Sequence, residues 1–188
     1  MTVVEPTTRR WTRDEYYRLA EEGWFNGQRV QLIQGEIINM PPQGHKHTQV
    51  YLRALNIILD IFGGKYVRPQ LPLNVPGESD PEPDLAVTLE SLEYYRDHPV
   101  TALLVIEVAD SSIQLDRRKA NLYAAAGVRD YWIANVNTKR LEIFRDPVAD
   151  QLQEFGHHYT QRLELGEREL VSPLARPEAK IAVKSFFE

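Results

Sequence analysis

The sequence predicts a mixed α/β domain, a central sheet flanked by helices. Three observations predict it. The run 102–108, Ala-Leu-Leu-Val-Ile-Glu-Val, is apolar on both faces apart from Glu107, the pattern of a central strand covered on both sides. Residues 115–126 repeat apolar positions at helical spacing and end at Gly127, and 131–136 then reads as another strand. Strand, helix and strand in that order form one parallel crossover inside a mixed sheet.

The remaining elements follow in chain order. Residues 12–22 read as a helix, with Thr12 and Glu15 matching a capping box and Tyr16, Leu19 and Ala20 on one face. Residues 30–33 and 36–40 are two strands across a Gln34-Gly35 turn. A second helix, 48–62, carries Val50, Ala54, Ile58 and Ile61 on one side and stops at Gly63-Gly64. Strand-like pieces follow at 66–67 and 71–75. Residues 76–83 hold three prolines, one glycine and three acids, which makes them a loop. Residues 85–87 are a short apolar strand. After 131–136, a turn over 137–140 leads to a strand at 141–144. Beyond 151 only short β-like pieces are visible, a C-terminal extension, and residues 1–10 read as a flexible arm. A chain of 188 residues suits a single domain over 1–188.

Composition narrows the function. Apolar residues make up 43% of the chain, ordinary for a globular protein. No stretch approaches the roughly 18–20 apolar residues of a membrane span. The first ten residues hold no apolar signal core, so the expected location is cytoplasmic. With no cysteine, disulfides, thiolate zinc sites and a Cys nucleophile are excluded. The net charge of -5 argues against a protein that coats nucleic acid, though not against an enzyme with a local basic rim.

Glu107 starts the chemical argument. A carboxylate near the end of a covered strand needs a partner, because burying its charge alone costs several kcal/mol. Lys119 can supply it. Leu115, Lys119, Leu122 and Ala126 follow at steps of four, three and four, and this stripe is expected to face the sheet. Asp116 and Tyr123 flank the stripe, while Arg117, Arg118 and Asn121 take the opposite side. Asp84 follows Pro83 and opens the 85–87 strand, a place from which a carboxylate projects into a cleft. Each residue alone has a structural reading: a solvated strand end, a snorkelling lysine, a turn aspartate. Two carboxylates and a lysine together match a divalent-metal site. The carboxylates hold Mg²⁺, water and phosphate complete its shell, and the lysine offsets charge on the phosphoryl oxygens.

Pro83-Asp84-Leu85, the run Glu107-Val108-Ala109-Asp110-Ser111-Ser112, Asp116, Lys119, Tyr123 and the stretch Gly127-Val128-Arg129-Asp130-Tyr131-Trp132-Ile133 together resemble the Uma-type family of restriction endonucleases. That family belongs to the PD-(D/E)XK nuclease superfamily, and the resemblance spans residues 12–187. It implies a restriction-endonuclease-like fold and Mg²⁺- or Mn²⁺-dependent hydrolysis of DNA phosphodiester bonds. Asp84, Glu107 and the Val108 carbonyl are the implied metal ligands, with Lys119 the catalytic cation and Glu36, His47, Asp116 and Tyr123 auxiliary. Two positions depart from the pattern. The superfamily's lysine lies two residues after the glutamate, where this chain has Ala109, so Lys119 on the helix takes its place. Gln31 stands where family members commonly carry an acid.

A symmetric homodimer is expected if both strands of a duplex are cut, with Phe186-Phe187 as a candidate contact. Arg117, Arg118, Lys139 and Arg140 are candidate phosphate contacts or solvated charges. Two other functions fit the same residues: a catalytically silent nucleic-acid-binding or assembly module on the nuclease fold, and a hydrolase of a smaller phosphodiester.

Overall fold

The computed structural model describes residues 7–188, so six residues of the expected N-terminal arm lie outside it. Arg10 is held against the first hairpin, where its guanidinium donates to the Gln34 carbonyl and to Glu36, each at 2.8 Å.

Six strands form the central sheet: β3 (Val67–Pro69), β4 (Leu85–Val87), β5 (Leu104–Ala109), β6 (Asp130–Asn135), β7 (Arg140–Ala149) and β8 (His157–Leu165), in that spatial order. All neighbours are antiparallel except β5 and β6, which run parallel and are joined through α3 (Ile113–Ala125). This is the mixed α/β fold read from the sequence. Outside this sheet stand a hairpin of β1 (Val30–Ile33) and β2 (Glu36–Asn39) and a pair formed by β9 (Leu170–Val171) and β10 (Ile181–Ala182). Gln34 and Gly35 both have positive φ, 49° and 71°, the geometry that matches a two-residue hairpin turn to strand twist.

Alternation along β5 divides the core in two. Leu104, Ile106 and Val108 pack with Val50, Ala54, Ile58 and Phe62 of α2 (His45–Phe62). Val105 and Ala109 pack with Ala120, Leu122 and Tyr123 of α3 on the other face. Glu107 lies between those two and therefore points at α3. The C-terminal segment covers the α2 face with Val171, Ile181, Val183 and Phe186. Phe186 is fully buried, its ring 6.3 Å from Trp132, so it is core and not a surface for another chain.

Three sequence expectations shift. Residues 71–75 form no strand: Leu73 and Asn74 donate to the carbonyls of Pro81 and Pro99 in loops, and Pro72 has no N–H to give. Helix α2 begins at His45, not Thr48, because Thr48 turns its hydroxyl back to the Gly44 carbonyl (3.2 Å) and Gly44 takes the capping position. His45 and His47 therefore sit in the first turn of the helix. The buried face of α3 is also rotated. Asp116, Lys119, Ala120, Leu122, Tyr123 and Ala124 are buried, while Leu115 and Ala126 are half-exposed. The cause is the partner: the sheet offers a carboxylate at this position, and polar side chains turn towards it.

Helix α1 (Arg13–Glu21) has the capping box read from Thr12 and Glu15. Its Arg13 reaches the 76–83 loop, with Nε 3.1 Å from Asp80 and Nη2 donating to the carbonyls of Val75 and Ser79. The hairpin grips the same loop through Asp80 N–H to the Leu32 carbonyl and Gln34 N–H to Ser79 Oγ. The chain that delivers Asp84 is thus clamped from two sides.

Asp130, at the start of β6, is fully buried and ties the C-terminal segment to the sheet. It accepts from Arg145 (2.8 Å), Trp132 Nε1 (2.7 Å) and Leu174 N–H (2.8 Å), and Arg145 also donates to the Ser172 carbonyl (2.7 Å). Removing one side of a buried pair strands the other charge, so Arg145→Met should lose about 3 kcal/mol of stability. Urea unfolding of the variant and the parent measures this. A loss under about 0.5 kcal/mol, the range of an ordinary surface change, would show that the clasp is not structural.

Candidate functional site

The β4–β5 register sets the centre of the site. Leu85 pairs with Ile106 in an antiparallel ladder, so the next step places Asp84 opposite Glu107. The Asp84 N–H donates to Glu107 Oε2 at 3.2 Å, and Asp84 Oδ2 accepts from the Val108 N–H at 2.8 Å. Both carboxylates are buried, Asp84 at 8% exposure and Glu107 at 3%.

Helix α3 supplies the counter-charge. Lys119, 2% exposed, places Nζ 3.0 Å from Glu107 Oε1 and 3.4 Å from Asp116 Oδ1. Tyr123, one turn later, donates its hydroxyl to Glu107 Oε1 at 2.9 Å. Asp116 is fixed by the Ser112 hydroxyl (2.6 Å), and its backbone carbonyl accepts from Tyr131 (2.8 Å). From the other face, His47 in the first turn of α2 brings Nε2 to 3.2 Å from Asp84 Oδ2.

The electrostatics follow from burial. Burial pushes the Glu107 carboxyl up to about 7, opposed by Lys119 and helped by Asp116 and Asp84. Burial favours neutral Lys119, but Glu107 and Asp116 outweigh it and hold the ammonium protonated. For His47, burial is likewise outweighed by the bond to Asp84, so its pKa is raised.

His47, Asp84, Glu107, Asp116 and Lys119 line one polar cleft, together with Gln31 and Glu82, and Arg29, Gly44 and Asp110 stand around it, while Tyr123 lies buried behind Glu107. Glu82 is the residue sequence reasoning missed. Held between Pro81 and Pro83, it adds a further acid beside Asp84, its carboxyl raised by burial and opposed by Arg29 and Lys119. The signal was present as Pro-Glu-Pro-Asp, but it was counted only as loop composition. Glu36 is not in the cleft; it pairs with Arg10 on the outer hairpin strand. The four basic residues considered for phosphate contacts are all engaged: Arg117 with Glu142, Arg118 with Glu154, Arg140 with Glu164, and Lys139 with Glu167 and Glu188.

The donor set fits a hard divalent cation. Asp84 Oδ1 accepts no hydrogen bond from a described residue, and Gln31 Oε1 is buried without a partner on the same cleft. Among the described residues no group of three or more His, Asp or Glu side chains is placed to hold a metal ion. An open shell of two carboxylates suits Mg²⁺, which keeps several waters and takes substrate oxygens.

Removing the Lys119 ammonium leaves two buried carboxylates without their cation. Lys119→Met should therefore fold with a loss of about 3–5 kcal/mol at neutral pH. The sign with pH follows from Glu107. Its folded pKa lies above the unfolded value, so its contribution favours folding at low pH and is lost as pH rises through about 7. Without the lysine that pKa rises further. The stability gap between variant and parent should be widest near pH 8 and narrow towards pH 5 in urea titrations. A gap that widens on acidification would overturn this electrostatic account.

A family model, Uma2, described as "Putative restriction endonuclease", matches residues 13–183. Among solved structures, the chain is similar to one described as a "putative nuclease belonging to DUF820" from Anabaena variabilis ATCC 29413. The two share 18% identity with a TM-score of 0.68, covering 94% of this chain and 97% of that one. At that identity the likeness is one of fold. No curated protein matches the chain. No described helix is long and apolar enough to cross a membrane.

Proposed function

Since the chain belongs to the Uma2 restriction-endonuclease family, we propose that it is a Mg²⁺- or Mn²⁺-dependent endonuclease that hydrolyses DNA phosphodiester bonds at the Asp84–Glu107–Lys119 cleft. The observation that carries this reading is the meeting of two opposed, buried carboxylates with one buried lysine on an open polar cleft.

Asp84 and Glu107 would hold the cation, with the Val108 carbonyl as a third oxygen from the same strand. Bound there, it would polarise the phosphate and acidify a water. The chain's own groups do the rest. Tyr123 and Lys119 fix the Glu107 carboxylate in one rotamer through two bonds to Oε1. His47 and the Val108 N–H do the same for Asp84. Lys119 opposes the upward push of burial on the Glu107 carboxyl and places positive charge beside the phosphoryl oxygens as their charge grows. Asp116, locked by Ser112, holds the lysine on the sheet side of the helix. Cutting both strands of a duplex takes two such clefts, so the reading includes a symmetric pair of chains on DNA.

Asp84→Asn and Glu107→Gln each remove a charged ligand with almost no change of volume. Both should fold, lose Mn²⁺ binding by calorimetry and abolish nicking of supercoiled DNA. Parental Mg²⁺-dependent nicking in either variant would remove the reaction from this cleft. Absence of both metal binding and nicking in the parent would favour a silent module on the same fold.

Lys119→Met should retain metal binding at or above the parental level, because a competing cation is gone. Its single-turnover rate should fall on the order of a hundredfold, as for loss of one electrostatic stabiliser. A parental rate would leave Lys119 a purely structural counter-ion.

A further inference from the structure

The acidic cleft explains how a phosphodiester could be cut but not what holds a polyanion to a chain of net charge -5. The cations of α3 and β7 do not answer this, since each is ion-paired. The first half of α2 differs. Lys46, Gln49 and Arg53 follow at steps of three and four and so share one helix face. Neither Lys46 nor Arg53 pairs with a carboxylate of any described residue. Their face forms one wall of an exposed groove, and the turn between β6 and β7, with Asn137, Thr138 and Lys139, forms the other. No acid lines this groove among the described residues.

We propose that this groove is a phosphate track, the surface that carries the nucleic-acid backbone on from the cleft. The inference rests on the nuclease reading and adds where the substrate runs. Continuity supports it. Asn137 Nδ2 donates to the Asp110 carbonyl at 2.6 Å, which joins the turn to the rim of the cleft. Gly44 and His47 line the cleft while Lys46, between them in sequence, lines the groove, so one helix end borders both. That end has no acid in its own first turn and no side-chain cap, so it presents the positive end of the helix dipole.

Dimensions agree. The seven residue steps of helix from Lys46 to Arg53 rise about 10 Å. That length covers about three phosphates of one strand at roughly 3.4 Å of axial rise each. Lys46 and Arg53 supply the unpaired charge, and Gln49, Asn137 and Thr138 supply neutral donors for phosphate oxygens. Contacts of this kind set register and orientation without reading bases, so the track serves any sequence.

The test is binding of a labelled duplex by the full chain, read by fluorescence anisotropy over a salt series with Ca²⁺ replacing Mg²⁺. For Lys46→Gln with Arg53→Gln, affinity should fall roughly tenfold or more at 0.1 M salt. The slope of log K against log salt should become shallower by about 2, whatever the duplex sequence. Lys46→Gln alone, at an exposed position, should change the slope by about 1. Mn²⁺ affinity should stay parental. The charge-matched control is Arg96→Gln with Arg129→Gln, at exposed positions that precede β5 and β6 and so lie at the opposite end of these strands. It should leave the slope unchanged.

If the parent binds DNA and the α2 variants keep its slope, the track is wrong and the nuclease reading stands. If the control flattens the slope equally, the attraction belongs to the whole surface and the track is likewise overturned. If the parent binds no duplex even at 50 mM salt, the nuclease reading falls and the track with it.

Discussion

A single buried charge organises this protein. Glu107 stands in the middle of a strand whose other side chains are apolar and covered, where an unpaired carboxylate is untenable. Four neighbouring features answer to it. Lys119 and Tyr123 reach it from α3, the Asp84 N–H reaches it from β4, and the rotation of α3 follows from those contacts. The same face repeats the solution farther out. Glu142 of β7, also buried, is neutralised by Arg117 of α3 and Arg162 of β8, which keep its carboxyl low despite burial. The difference lies in access. The Glu142 pairs close on themselves, whereas Glu107 shares its surroundings with Asp84 and opens on a cleft.

Most of the fold was legible because its signals were periodic. The doubly apolar strand, the α2 stripe and the short β4 run all sit where the pattern places them, within a few residues. The meeting of Lys119 and Glu107 was legible too, since helical spacing put the lysine among apolar residues and the strand put the glutamate inside. What stayed hidden depends on partners distant in sequence. The exact face of α3 could not be read from its own hydrophobicity, because the surface it meets is partly polar. Phe186 looked like a contact for another chain because nothing local says that Trp132 lies beneath it. Gln31 and Glu82 gain their place only when the hairpin closes over the 76–83 loop.

That loop explains how two short strands can hold a carboxylate accurately. β4 has only three residues, too few to fix a side chain alone. Arg13, Asp80 and Ser79 supply the missing rigidity from α1 and the hairpin, and Pro81 and Pro83 restrict the backbone up to Asp84. Elements that seem peripheral to the central sheet thereby determine the position of one of its two acids.

The spread of these residues along the chain has a consequence for synthesis. Glu107 and Lys119 are twelve positions apart, so their contact closes a short loop, whereas Asp84 joins Glu107 across 23 and His47 joins Asp84 across 37. A growing polypeptide therefore carries Asp84 and His47 long before the helix bearing the lysine has left the ribosome. Until then Glu107 has no ammonium beside it, and its strand cannot settle between two layers. The cleft takes shape only after the β5–α3–β6 unit is complete, so the order of translation delays assembly of the site until its counter-charge is at hand.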